Sequence, residues 1–237
     1  MIPGWLAEAA DIFWDGAVDP PPFPRELYGV LPYALPVHQH IMPRLGIDGV
    51  DEWLQRHGVG QRLSNPDRRL RGCLVALRGR GIIFVDGGDN DAERRFTLAH
   101  EAGHFLLDYY MPRGRAQALL GPDILAVLDG DRNPSSDERI IAAVRNCPLG
   151  MHIHLLDRRH PNAVITQSEY RADRFAWELL APDDDLERRY DRRLTDEETI
   201  ARDLENVYGL PPAEAAAYAT QWLGERVRPS NLVFLRR

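Results

Sequence analysis

The sequence predicts an α+β fold in which a small antiparallel sheet precedes a mainly helical chain. Three observations predict it. Two short apolar runs, residues 69–77 and 81–85, are joined by Arg78-Gly79-Arg80 and read as a β-hairpin. After residue 90 the apolar residues recur at helical spacing rather than in alternation. The chain has 237 residues, enough to bury one sizeable core.

In chain order, residues 4–14 form a short amphipathic segment. Asp19-Pro20-Pro21-Pro22-Phe23-Pro24 cannot be helical, because proline fixes φ and lacks the amide donor. Residues 1–24 therefore read as an N-terminal segment and stiff linker. Residues 49–57 read as a helix that ends before Gly58. Cys73 lies in the apolar Cys73-Leu74-Val75-Ala76-Leu77, as a buried strand residue would. Asp86-Gly87-Gly88-Asp89 is a turn cluster. Asn90 stands three residues before Glu93, the spacing of an N-cap and its capping-box partner. The helix after it carries Phe96, Leu98, Ala99, Phe105, Leu106 and Leu107 and should be buried. Residues 116–128 and 137–145 read as helices, and 148–165 mix apolar runs with His and Arg. Residues 166–180 read as a helix whose stripe is Ala172, Phe175, Ala176, Leu179 and Leu180, with Pro182 just beyond. Residues 200–208 and 213–223, separated by Gly209-Leu210-Pro211, read as helix–turn–helix. The predicted division is residues 1–24, a core over 25–182, and a C-terminal helical module over 183–237.

The chemistry is concentrated in His100-Glu101-Ala102-Gly103-His104. Positions i and i+4 share a helix face, so two imidazoles point at one spot that can hold zinc. Glu101 follows the first imidazole and can take the proton of an attacking water, then return it to a leaving amine. That combination hydrolyses a peptide or similar amide. A buried helix carrying two His and one Glu must satisfy three polar groups, and a metal does that. Gly103 costs about 1 kcal/mol relative to Ala within a helix, which makes sense if something packs closely there.

A catalytic zinc takes three protein ligands and keeps one position open. Glu169 is the best third ligand. Asp173, at i+4 on the same face, can accept a hydrogen bond from the far nitrogen of a ligand histidine. Each has an ordinary alternative. Thr166 and Glu169 also fit a capping box, and Asp173 also fits an ion pair with Arg171 or Arg174.

The run from Arg94 to Leu107, with His100-Glu101-Ala102-Gly103-His104 at its centre, resembles the active-site helix of the ImmA/IrrE family of metallo-endopeptidases. Glu169-Tyr170-Arg171-Ala172-Asp173-Arg174-Phe175-Ala176, continuing through Leu179-Leu180-Ala181-Pro182, resembles that family's second helix. The resemblance implies a zincin-like metallopeptidase core with His100, His104 and Glu169 on Zn2+, Glu101 as general base and acid, and Asp173 orienting a ligand. It also implies an endopeptidase whose protein substrate is a transcriptional regulator, repressor or antitoxin, cleaved during stress or mobile-element induction. The stretch from His104 to Glu169 is longer than the family's pattern. The excess, residues 111–166, is an insertion beside the site, with substrate selection as its favoured role. A different class stays open: a weakly catalytic protein-interaction module of a toxin–antitoxin or phage-defence system.

Composition narrows the rest. A net charge of −7 disfavours nucleic-acid binding, which needs a basic face. No apolar run approaches the roughly 20 residues that span a bilayer. Two cysteines in such a chain do not suggest a disulfide framework, so the expected compartment is the cytoplasm. Cys147 reads as a plain thiol in the insertion. The pairs His38/His40 and His152/His154 read as structural or surface histidines. His152, His154, His160, Tyr109, Tyr110 and Tyr170 are equal candidates for a donor to the oxyanion.

Overall fold

The structure, a computed structural model, describes residues 2–15, 19–59, 63, 67–144, 152–157 and 166–224. It opens with helix α1 (Gly4–Asp15) and the single turn α2 (Leu31–Ala34). Strand β1 (Val37–Met42), helix α3 (Ile47–Arg56) and the hairpin strands β2 (Leu70–Leu77) and β3 (Arg80–Asp86) follow. Next comes one unbroken helical run: α4 (Asp91–His104), a π-helical stretch (Phe105–Tyr110) and α5 (Met111–Leu120). The remainder is α6 (Ile124–Leu128), α7 (Ser136–Val144), β4 (His152–Asp157), α8 (Thr166–Leu180), α9 (Asp183–Arg189), α10 (Glu197–Asn206) and α11 (Pro212–Gly224).

The hairpin forms as its sequence dictates. Arg78 at φ 50° and Gly79 at φ 77° give the turn whose twist matches antiparallel strands. The sheet as a whole departs from the expectation, because it is mixed rather than antiparallel. Its order is β1-β3-β2-β4, with β1 parallel to β3 and β2 antiparallel to both its neighbours. β1 contains the pair His38/His40. The outer face of this edge strand tolerates polar residues, so its apolar alternation is weak. β4 comes from the insertion, which therefore supplies an edge strand to the sheet. The predicted helix over 116–128 is two helices, broken at Gly121, whose φ of 81° and bond to the Gln117 carbonyl end α5.

Side-chain alternation along β2 and β3 gives the sheet two apolar faces. Leu74, Ala76, Ile83 and Val85 join the large core with α4, α8, α10 and α11. Cys73, Val75 and Phe84 face α3, against Ile47, Val50 and Leu54. Cys73 is fully buried, as its strand context predicts. Among the described residues no helix is long and apolar enough to cross a membrane.

Helix α4 starts where its cap predicts. The Asn90 side chain accepts the Glu93 amide at 2.9 Å, and Glu93 accepts the Asn90 amide at 3.3 Å. Its buried face then meets α8 at very close range. A Cβ built on Gly103 would lie 3.2 Å from the Ala172 Cα and 3.3 Å from its carbonyl oxygen. Both are backbone atoms, which cannot swing aside. Gly103→Ala should gain about 1 kcal/mol of helix propensity and lose about 1–3 kcal/mol to overpacking. The expected outcome in urea unfolding is a net loss of stability together with weaker metal retention. A more stable variant that binds metal normally would show that the two helices have room to spare.

Candidate metal centre

His100 and His104 occupy the last turn of α4, and Glu169 the first turn of α8. Ligand atoms of the three lie within 4.8 Å of one another. The two Nε2 atoms are 3.1 Å apart. Glu169 places one oxygen 3.5 Å from His100 Nε2 and the other 3.6 Å from His104 Nε2. A tetrahedral zinc with bonds of about 2.05 Å separates its ligand atoms by roughly 3.3 Å. The observed edges bracket that value.

Both histidines are aimed by carboxylates. His100 Nδ1 lies 2.8 Å from Asp173 Oδ1, and His104 Nδ1 lies 2.7 Å from Asp108 Oδ2. A carboxylate accepts, so each Nδ1 carries the hydrogen and each Nε2 presents a lone pair. Two lone pairs converging at 3.1 Å beside a carboxylate repel unless a cation joins them, either a proton on one Nε2 or a metal ion. The donor set therefore fits a metal, and two imidazoles with one carboxylate suit zinc. Burial lowers the pKa of His100, but hydrogen bonds to Asp173 and Glu169 outweigh it and push it up to about 10. Carboxylates that attract a proton this strongly attract a dication in the same place.

Glu101 is fully buried and lies against β2. Gly72 makes that possible, because a Cβ there would stand 2.6 Å from Glu101 Oε1 and 2.6 Å from Thr97 Cγ2. Neighbouring Cys73 is pushed well above the usual thiol range, first by burial and then by the charge of Glu101. It stays a thiol at neutral pH rather than becoming a thiolate ligand.

Asp173 engages His100, and Arg171 turns elsewhere, toward Asp108 at 3.8 Å and over the Trp5 ring. Asp108 is the functional candidate that the sequence reading passed over. It sits in the π-helical stretch four residues after His104, and the Ser168 hydroxyl donates to it as well. Its signal was present, since Asp108 stands to His104 in the same i+4 relation as Asp173 to Glu169. Among the tyrosines, Tyr109 accepts the Gly79 amide at 2.7 Å and is tied to the hairpin turn. Tyr170 accepts from Gln221 at 2.9 Å. Tyr110 lies against Phe105. Cys147, His160 and the side chains of His152, His154 and Thr166 lie outside the described residues, so neither the capping alternative for Glu169 nor those oxyanion candidates has a geometry. A second acidic group, Asp183, Asp184 and Glu187, clusters on α9. Arg192 binds Asp183 at 2.7 Å and Glu187 at 3.0 Å, so one arginine neutralises two of the three carboxylates, the buried Asp183 among them.

If Asp108 and Asp173 aim the imidazoles, Asp108→Asn and Asp173→Asn should each weaken zinc binding by about 10–100-fold. Chelator competition measures this, and a Co2+-substituted protein should show an altered visible spectrum. Unchanged affinity in both variants would leave them as ordinary hydrogen-bond partners.

Residues 55–120 match the family model described as IrrE N-terminal-like domain, Peptidase M78. The match runs from the end of α3 through β2, β3 and α4 to α5, and so includes His100, Glu101, His104 and Asp108. Glu169 and Asp173 lie beyond it. No curated protein and no solved structure matches the chain.

Proposed function

From the premise that this is an ImmA/IrrE-family protein, metallopeptidase-like in the segment that carries α4, we propose that it is a zinc-dependent endopeptidase. The observation that carries this reading is the convergence of His100, His104 and Glu169 within 4.8 Å, from two helices far apart in sequence. Glu101, next to the first imidazole, has the position of a general base.

Zinc held there supplies Lewis acidity toward the scissile carbonyl and the attacking water. The chain's own residues do the rest. His100 and His104 present Nε2, with Nδ1–H held by Asp173 and Asp108. Glu169 brings an anionic oxygen from α8. Glu101 accepts the proton of the attacking water on a carboxylate oxygen and passes it to the leaving amine nitrogen. The apolar packing of α4 against β2 and α8 keeps solvent from the back of the site and strengthens each electrostatic contact within it.

The proposed substrate is a regulatory protein of repressor or antitoxin type, cut during stress or mobile-element induction, and the proposed compartment is the cytoplasm. A buried Glu101 supports turnover over a purely docking role, since docking alone has no use for a base there. Glu101→Gln keeps shape and hydrogen bonding but cannot take the proton. It should retain zinc and lose at least about 10²-fold of the turnover, measured on a repressor- or antitoxin-type protein that the unaltered chain cleaves. Near-normal cleavage by that variant would move the base elsewhere.

A further inference from the structure

Helix α8 turns two adjacent faces toward the end of α4. Consecutive residues on a helix point about 100° apart, so Ser168 and Glu169 look in different directions. Glu169 and Asp173, at i and i+4, face the imidazoles. Ser168 and Arg171, at i and i+3, both face Asp108 instead. The Ser168 hydroxyl stands 2.5 Å from Asp108 Oδ2 and 3.3 Å from His104 Nδ1. An ionised carboxylate has no hydrogen to give, so the serine donates. Asp108 Oδ2 thus accepts from His104 on its own helical run and from Ser168, 60 residues further along the chain.

A serine in a first helical turn has ordinary uses, bonding to a neighbouring backbone group or pointing into water. The Ser168 hydroxyl instead leaves its own helix for a carboxylate on another. Its place in the helix gives that contact a consequence. Helix ends fray, and Glu169 stands in that same first turn, with its two oxygens 3.5 Å and 3.6 Å from the two Nε2 atoms. A ligand seated so evenly between two imidazoles needs a turn that does not swing. Tyr170, the next residue, also reaches another helix, through the Gln221 amide at 2.9 Å. That contact lies at the tip of a long side chain, 46% exposed, and joins α8 to α11 rather than to α4. Ser168 joins the turn of one ligand to the carboxylate that aims another.

We propose that Ser168 is a positioning residue whose hydroxyl ties the first turn of α8 to Asp108, so that Glu169 and His104 reach the metal as one unit. The proposal rests on the metal-centre reading above. The hydrogen bond is charge-assisted, which makes it short and strong. It fixes the Asp108 carboxylate against His104 Nδ1 and at the same time fixes the turn that carries Glu169. A methyl group in its place would free both.

The test reads the zinc affinity of the full-length protein by chelator competition. Ser168→Ala should bind zinc about 10-fold more weakly, the lower end of what an outer partner of a metal ligand is worth. The visible spectrum of its Co2+-substituted form should change as well. Tyr170→Phe, which loses a hydroxyl from the same turn, should stay within about twofold of the unaltered protein, the ordinary scatter between independent sites. In an Asp108→Ala background, Ser168→Ala should cost less than about twofold, because the group it acts through is gone. Unchanged zinc affinity and an unchanged Co2+ spectrum in Ser168→Ala overturn the proposal. An equal loss in Tyr170→Phe overturns it too, by making the effect a general loosening of α8. A loss undiminished in the Asp108→Ala background does the same, by making the serine a separate support. If the unaltered protein binds no zinc, the metal-centre reading falls and the proposal with it. Zinc in the unaltered protein with no effect of Ser168→Ala sinks the tether alone.

Discussion

The approach of α4 to α8 at Gly103 is the constraint on which the site depends. Two imidazoles on one helix can share a focus, but the third ligand comes from another helix. It reaches that focus only if the two backbones come close. Gly103 against Ala172 allows it, since a Cβ there would stand 3.2 Å from the Ala172 Cα, a few tenths of an ångström too close. Gly72 does the equivalent on the sheet side, where the missing side chain is replaced by Glu101 and Thr97. Glycine weakens both a helix and a strand on its own. Here each loss of local propensity is offset by a close contact that places a functional carboxylate.

Burial of so many polar groups is the second constraint. His100, Glu101 and His104 are almost fully excluded from solvent within a core of Phe96, Ala99, Phe105 and Phe175. Such groups are tolerated when each has a partner. The arrangement is reciprocal: α8 supplies Asp173 to His100, the π-helical stretch supplies Asp108 to His104, and Ser168 and Arg171 of α8 return to Asp108. The cation–π contact of Arg171 with Trp5 extends the network to α1. A metal bound there would complete it, taking the two imidazole nitrogens and the one anionic oxygen that converge on the site.

Local chemistry made part of this legible in the sequence. The Asn90–Glu93 capping box, the Arg78-Gly79 turn and the i, i+4 pairs His100/His104 and Glu169/Asp173 each depend on neighbours a few residues away. Gly103 was legible as an anomaly, a costly residue in a buried helix, although only the structure says that Ala172 is what meets it. The remainder depends on partners distant in sequence. The strand β1 hides behind His38 and His40, and its parallel neighbour β3 lies beyond a helix and another strand. β4 pairs from inside the insertion. Asp108 four residues after a histidine looks like any polar helix face until the π-helical stretch and α8 enclose it.

X-ray absorption at the zinc edge of the purified full-length protein tests the central claim most directly. The expected result is about one zinc per chain, bound by two imidazole nitrogens and a carboxylate oxygen at about 2.0–2.2 Å, with no sulfur. A sulfur scatterer near 2.3 Å, three or more imidazoles, or no bound zinc would contradict it.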